Sequence, residues 1–317
     1  MSIGISYIAY SRVDKCKKTL DALCKSEGIE DYDIYIFSDA PHNEDAINKV
    51  HDVRFFLRKY IEDNKNIRLH LIERKKNLGS FENISRSLSE VAKHHEYVIL
   101  VEEDVLVGKS FVKYMLECSE YFKDNDNIFA VTAYNPVPNL NIESDVFYSD
   151  RLCCYGLGMK AEDIASVEWN IEKIDFSKID KKKIYTVARD ISACYEDDVR
   201  GKRDFETSWD IILYYNMLIK EKKQVFPKYS FCTNIGFDGT GEWSSAGGFQ
   251  NNNFNINREL DSMRLREYVL NKNEYKRFIK GFIQDNPKKI ILRTGRRISS
   301  ALGISQLART IKDRYLR

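Results

Sequence analysis

Over residues 1–135, short continuously apolar runs alternate with stretches whose apolar positions recur at helical spacing. Ile3–Ala9 reads as a buried strand, and Cys16, Leu20 and Leu23 carry the helix that follows. A second strand over 34–37 ends in the polar turn Ser38-Asp39-Ala40-Pro41, and a helix through Val50, Phe55 and Leu57 comes next. Then come a strand at 67–72, a helix over 81–95 through Ile84, Leu88 and Val91, and a strand at 97–101. A helix over 110–122 and a strand at 128–132 complete the alternation. Strands that are apolar on every position are covered on both faces, which predicts a mostly parallel α/β sheet flanked by helices. Beyond residue 135 the pattern is less regular and richer in aromatics, with no internal repeat or low-complexity segment.

The 317 residues are 43% apolar and 31% charged, enough for one large domain with an appendage or for two small domains. A net charge of +2 conceals an uneven distribution, because 286–317 carries nine basic residues against Asp313 alone. A mildly acidic body with a basic end does not fit a nucleic-acid binder, which needs a broad basic face. It fits an electrostatic attachment segment. Ile304, Leu307, Ala308, Ile311 and Tyr315 share one helical face, with Arg309, Lys312 and Arg314 at the other positions. That segregation predicts a basic amphipathic helix lying on an anionic membrane surface, each basic residue contributing about 1 kcal/mol. The plainer alternative is a helix packed on the body with a solvated basic face. The seven cysteines are odd in number and form no CxxC pair, so neither a disulfide framework nor a zinc site is expected. No secretory leader precedes the first strand, and no apolar run approaches the roughly 18 residues of a membrane span. The expectation is a cytoplasmic protein, peripheral on the inner face of the cytoplasmic membrane.

In parallel sheets ligands bind beyond the carboxyl ends of the strands. That rule selects Tyr10-Ser11-Arg12, Ser38-Asp39 and Glu102-Glu103-Asp104. Neither GxGxxG after the first strand nor GxxxxGK[ST] occurs, so dinucleotide-fold dehydrogenases and P-loop enzymes lack their phosphate cradle. Three adjacent acids repel one another unless a positive charge compensates them. A divalent cation on oxygen ligands would do so, and would neutralise a departing diphosphate. The bland alternatives are acids favouring the positive end of the helix near Ser110, and a turn-capping Asp39. Asp210 opens the apolar helix through Ile211, Ile212 and Leu213 and suits its dipole in the same way. Trp209 reads as core, Gly156 and Gly158 as close backbone approaches, and Cys153-Cys154 as packing.

Several short segments occur in a fixed order between about residue 5 and about residue 243. They are Ala9-Tyr10-Ser11-Arg12, Phe37-Ser38-Asp39, Asn77-Leu78-Gly79 and Glu102-Glu103-Asp104 with Phe111 and Tyr114-Met115. Tyr155-Gly156-Leu157-Gly158-Met159, Ser208-Trp209-Asp210 and 234–241 follow. Together they resemble bacterial family-2-like sugar transferases of the GT-A fold and, more distantly, eukaryotic N-acetylglucosaminyltransferase I. The resemblance implies a GT-A catalytic domain over 1–253, with a nucleotide-sugar-binding half (1–135) and an acceptor half (136–253). A helical, basic tail over 254–317 would follow. It also implies an inverting, metal-dependent transferase acting on a nucleotide-diphosphate donor, a UDP-sugar by preference, and a glycan acceptor. In that scheme Arg12, Asp39 and Asn83 bind the donor nucleotide sugar, and Glu102 or Glu103 its ribose or sugar. Asp104 holds Mn²⁺ or Mg²⁺, and Asp210 is the catalytic base. Alternation along the strand favours Glu102 over Glu103 as the second acid.

Two positions depart from the pattern. The middle acid is Glu where the family has Asp, and Glu242-Trp243 stands where many relatives carry a histidine, leaving that ligand absent or replaced by Glu242 or Asp238. A membrane-held tail suits a lipid-linked acceptor in surface-polysaccharide assembly. Two other readings stay open. One is a nucleotidyltransferase, which needs a phosphate-binding loop of the kind thinly offered by Ser11-Arg12-Val13-Asp14-Lys15. The other is a non-catalytic membrane-associated scaffold that keeps the fold.

Overall fold

A computed structural model describes residues 1–137, 139–201, 207–237 and 255–282. The first half alternates as the apolar pattern predicts: β1 (Ile3–Ala9), α1 (Val13–Cys24), β2 (Asp33–Ser38), α2 (Glu44–Asp63), β3 (Arg68–Glu73), α3 (Gly79–Ala92) and β4 (Tyr97–Glu102). After these come β5 (Val105–Val107), α4 (Phe111–Tyr121), β6 (Ile128–Thr132), β7 (Val146–Ser149), β8 (Leu157–Lys160) and α5 (Ala161–Ala165). The second half continues with α6 (Lys181–Val187), α7 (Ser192–Val199), α8 (Trp209–Ile219), β9 (Lys223–Pro227), β10 (Cys232–Asn234) and α9 (Lys272–Phe282).

Eight strands form one sheet in the order β3-β2-β1-β4-β8-β6-β9-β7, and β10 pairs with β5 in a separate ribbon. The β3-β2-β1-β4 portion is parallel throughout. There β8 enters antiparallel between β4 and β6, and β7 lies antiparallel to β9. The sheet is therefore mixed, with four consecutive parallel strands in the first half and a further parallel pair, β6 with β9, in the second. The turn into β8 uses Gly156 at φ +60°, where an added Cβ would meet Phe111 Cε2 at 2.7 Å. Only glycine meets both demands without strain.

Side chains alternate along the strands and feed two cores, one on each face of the sheet. Ile3, Ile5, Tyr7 and Ala9 of β1 join Leu20 and Leu23 of α1 and Val53 and Leu57 of α2. Ile8, with Val98 and Leu100 of β4, joins Ile84, Leu88 and Val91 of α3 on the other face. Burying a side chain of this size stabilises the fold by roughly 1.5–3 kcal/mol, so the alternation holds the sheet between its helices. Helix α2 is capped by Asn43, whose side chain accepts from the Ala46 N–H, with Glu44 and Asp45 in the favourable first turn. Helix α3 begins at Gly79, ahead of the expected residue 81, because Asp39 takes the otherwise unpaired N–H groups of Leu78 and Gly79.

Residues 255–282, placed by the sequence in an appendage, pack into the body. The Arg264 N–H donates to Asp145 Oδ2 at 2.8 Å, and the Tyr148 N–H donates to the Tyr268 carbonyl at 2.9 Å. In α9, Phe278 packs its ring 4.9 Å from Phe147 and 4.8 Å from Phe226. Those rings on β7 and β9 take apolar cover from α9, so residues 255–282 pack as part of the folded body. The amphipathic positions Ile304 to Tyr315 lie outside the described residues. Among the described residues no helix is long and apolar enough to cross a membrane.

Candidate active site

A cleft of about 950 Å³ is lined from the carboxyl ends of β1, β2 and β4 and the first turn of α8. Arg12, Asp39, Asn83, Glu102, Glu103, Asp104 and Asp210, which lie far apart in the chain, all line it.

Glu103 anchors the loop after β1. Its carboxylate accepts from the Tyr10 N–H at 2.6 Å, Arg12 Nε at 2.7 Å and the Cys16 thiol at 3.2 Å. At 6% exposure it is a buried brace for Arg12. Burial pushes its acidity towards the protonated form, and Arg12 pulls it back. Glu103 turns away from its neighbours because β4 ends at Glu102 and the chain has already turned. Burial and the adjacent Glu103 push the Cys16 thiol well up, so it offers no thiolate. Arg12 also donates from Nη2 to Asp104 Oδ2 at 2.9 Å. Burial alone would lower the guanidinium, but Glu103 and Asp104 raise it, and Arg12 stays a fixed cation. Its Nη1 is buried with no partner among the described residues.

Asp104 is held from the other side by the β5–β10 ribbon. Its carbonyl accepts from the Ile235 N–H at 2.7 Å, and its Oδ1 lies 3.4 Å from Asn234 Nδ2. Gly236 passes so close that an added Cβ would stand 2.3 Å from Asp104 Oδ2. Glu102 keeps part of its surface open to the cleft. Its acidity is pushed well above the ordinary carboxylate range by burial, then by Asp104 and Asp210, with Arg12 opposing. Three carboxylates from two distant segments therefore feel one another across the cleft.

Asp39 and Asn83 are engaged with the protein. Asp39 accepts from the Ala40, Leu78 and Gly79 N–H groups and from Asn77 Nδ2. Burial raises it and those backbone donors lower it. It brackets the turn at 77–79 that forms the cleft wall. Asn83 Oδ1 accepts from Arg74 Nε at 3.1 Å, and Arg74 lies over the Phe37 ring at 4.9 Å. Asp210 occupies the first turn of α8 next to Trp209, which is 6% exposed and belongs to the core.

Among the described residues no group of three or more His, Cys, Asp or Glu side chains is arranged to hold a metal. Asp104 and Glu102 together supply one or two carboxylates, the share that protein gives to a Mg²⁺-type ion completed by substrate phosphates and water. The donor set fits an ion shared with a diphosphate, and does not fit a closed protein cage. Asp238 and Glu242, the candidates to replace the missing histidine, lie outside the described residues.

In the loop that a nucleotidyltransferase would need, Ser11 and Arg12 face the cleft, whereas Lys15, 8% exposed, is turned away and donates from Nζ to the Ile235 carbonyl at 2.9 Å. Sequence reasoning missed a second group on the same cleft, comprising Arg151, Asp190, Tyr134 and Tyr214. Only Tyr214 carried a local signal, being four residues after Asp210 and so on its face of α8.

No protein family matches the chain, and no curated protein is similar to it in sequence. Solved structures do share its chain course. S. aureus TarS is 9% identical with a TM-score of 0.44, over 75% of this chain and 37% of that one. Mannosyltransferase PcManGT from Pyrobaculum calidifontis, in complex with GDP-Man and Mn²⁺, is 12% identical with a TM-score of 0.42, over 68% and 69%. GalNAc-T7 with UDP, GalNAc and Mn²⁺ is 9% identical with a TM-score of 0.47, over 72% and 42%. The chain thus spans less than half the length of the TarS and GalNAc-T7 chains. At such identities the likeness concerns the course of the backbone, and the chemistry rests on this chain's own residues.

Proposed function

We propose that the chain is an inverting glycosyltransferase, moving a sugar from a nucleotide-diphosphate donor to a hydroxyl of a carbohydrate acceptor. The observation that carries this reading is the convergence of Arg12, Glu102, Asp104 and Asp210 on one cleft beyond the strand ends. A cleft near 950 Å³ is at the roomy end for a small-molecule site, enough for a nucleotide sugar with an acceptor hydroxyl beside it.

Arg12, fixed by two acids, would turn its unpaired Nη1 to a donor phosphate oxygen, a contact that suits a guanidinium. The turn at 77–79, bracketed by Asp39, would shape the wall against the nucleotide. Glu102, part of whose surface is open to the cleft, would accept from a hydroxyl of the donor's ribose or sugar. Asp210 would take the proton of the acceptor hydroxyl while that oxygen attacks the anomeric carbon. The bond from that carbon to the phosphate oxygen would break, and its electron pair would leave with the diphosphate. A divalent ion on Asp104 would supply charge neutralisation for that leaving group. Attachment of the basic run 286–317 to an anionic cytoplasmic membrane face, and a lipid-linked acceptor, are further parts of this reading, supported by charge pattern.

UDP- and GDP-linked sugars come first in the test. Their binding and slow hydrolysis would be measured with and without Mn²⁺ on the wild type and Asp104→Ala. Metal-dependent turnover of one donor, lost in the variant, is the expected result. Absence of binding and turnover under every metal condition would leave the scaffold reading standing.

A further inference from the structure

One part of the cleft wall has no role in the donor chemistry. Arg151 and Asp190 form a two-pronged ion pair, Nη1 to Oδ1 at 2.8 Å and Nη2 to Oδ2 at 2.7 Å. The guanidinium lies 4.8 Å over the ring of Phe282, the last residue of α9. Tyr214 lines the same cleft as the pair. Two polar atoms here lack any partner among the described residues: Arg151 Nε and Tyr214 Oη. Leaving a buried donor unpaired costs about 1–3 kcal/mol, so two of them in one cleft wall mark a place prepared for something else.

The chemistry narrows what that is. Arg151 Nε–H needs an acceptor, Tyr214 Oη takes either role, and Asp190, with 24% of its side chain exposed, accepts. A hydroxyl-bearing ligand answers all three. An anionic ligand would find Arg151 already neutralised and would face Glu102, Asp104 and Asp210 on the same cleft. A cationic ligand would find Asp190 already paired. Tyr134 and Tyr155 also line the cleft, edge to face with ring centroids 5.2 Å apart, and offer apolar surface to the C–H face of a sugar ring. Tyr214 follows Asp210 by four residues on α8, one turn or about 6 Å along the same face.

We propose that Asp190, Arg151 and Tyr214 form the acceptor subsite, and that it takes an uncharged glycosyl unit whose reacting hydroxyl lies against Asp210. This inference rests on the transferase reading above. Entry of the sugar exchanges water-free, unpaired protein atoms for sugar hydroxyls and leaves the ion pair in place.

Saturation-transfer NMR with p-nitrophenyl hexosides and the corresponding uronides, on the wild type, Tyr214→Phe and Asp190→Asn, tests it. Sugar-nucleotide binding and turnover are measured on the same samples. Tyr214→Phe removes a hydroxyl with no partner among the described residues, so it carries the test alone if Asp190→Asn fails to fold. The wild type should bind neutral hexosides and reject uronides. Tyr214→Phe should weaken hexoside binding roughly three- to ten-fold, the loss of one neutral hydrogen bond, with sugar-nucleotide affinity changed less than about two-fold. Equal binding of uronides, unchanged hexoside affinity in Tyr214→Phe, or an equal loss of donor affinity overturns the proposal. So does the absence of hexoside binding in a wild type that turns a donor over. Hexoside binding sensitive to Tyr214→Phe, without donor turnover, upholds the subsite and removes the transferase reading. With neither, both fall.

Discussion

The two halves of the molecule hold their cleft residues by different means. In the half built on β1 to β4, ion pairs and hydrogen bonds do it: Glu103 braces Arg12 and Tyr10, and Asp39 gathers backbone and side-chain donors. In the half from β6 to α9, the Arg151–Asp190 ion pair rests on aromatic packing, with Phe147, Phe226, Phe278 and Phe282 in contact beneath the cleft. The first arrangement suits a charged diphosphate donor, whose place is fixed before it arrives. The second suits a ligand recognised by shape and hydroxyl groups. Changes to charge should therefore register chiefly on the donor side, and changes to buried volume chiefly on the acceptor side.

The largest expected effect separates the halves by chemistry. Asp210→Asn keeps the shape of the first turn of α8 and removes the base, so transfer to an acceptor should fall about 10²- to 10⁴-fold. Donor affinity, measured by titration calorimetry, should stay near that of the wild type. A variant that loses donor binding to the same degree would mean that Asp210 belongs to the donor side. Next comes the packing of the acceptor half. Phe278 is fully buried between Phe147 and Phe226, and Phe278→Ala should cost about 3–5 kcal/mol in denaturant unfolding. A cost below about 1 kcal/mol would return residues 255–282 to the status of an appendage.

The same contrast explains what could be read from the sequence. The bounds of β1 and β6 are legible because each is a continuous apolar run, and the parallel βα alternation follows from it. The insertion of β8 is not, since Leu157–Lys160 is four residues long and its place between β4 and β6 is set by contacts far along the chain. Helix α9 falls in the expected tail because its own charged residues mask three buried apolar ones, Phe278, Ile279 and Phe282. In the site, Arg12, Asp104 and Asp210 follow strand ends or begin a helix, where position alone suggests a ligand. Arg151 and Asp190 lie 39 residues apart in irregular chain, and no spacing rule joins them. Asp39 lies on the cleft where its position predicts, and the bonds of its oxygens to the start of α3 are what the sequence does not show.

A smaller effect should appear where the two halves meet. The β5–β10 ribbon brings Gly236 against Asp104, leaving no room for a Cβ beside Oδ2. Gly236→Ala should displace that carboxylate and weaken Mn²⁺ binding about 10- to 100-fold, as changes behind metal ligands do. Electron paramagnetic resonance of free Mn²⁺ in the presence of the protein and a nucleoside diphosphate reads this directly. Unchanged affinity would remove Asp104 from the metal site or show that the ribbon yields.

The smallest effect concerns pH and belongs to the first half, which holds all five histidines of the chain. His95 packs against Gly4, and its Nε2 lies 2.9 Å from Tyr35 Oη. Burial lowers its proton affinity, Asp33 opposes that, and His94 and His70 add to it. The folded state therefore favours the neutral ring more than the unfolded chain does. Its contribution to stability is complete above the ordinary imidazole value of about 6.5, and is lost as pH falls through the lower folded value. The unfolding temperature of the wild type should therefore fall between about pH 7 and about pH 5, in part through this group. His95→Gln should flatten that part of the profile and leave the acceptor half, which has no histidine, unchanged. An identical profile in the variant would move the acid sensitivity to the carboxylates of the cleft, where the two halves meet.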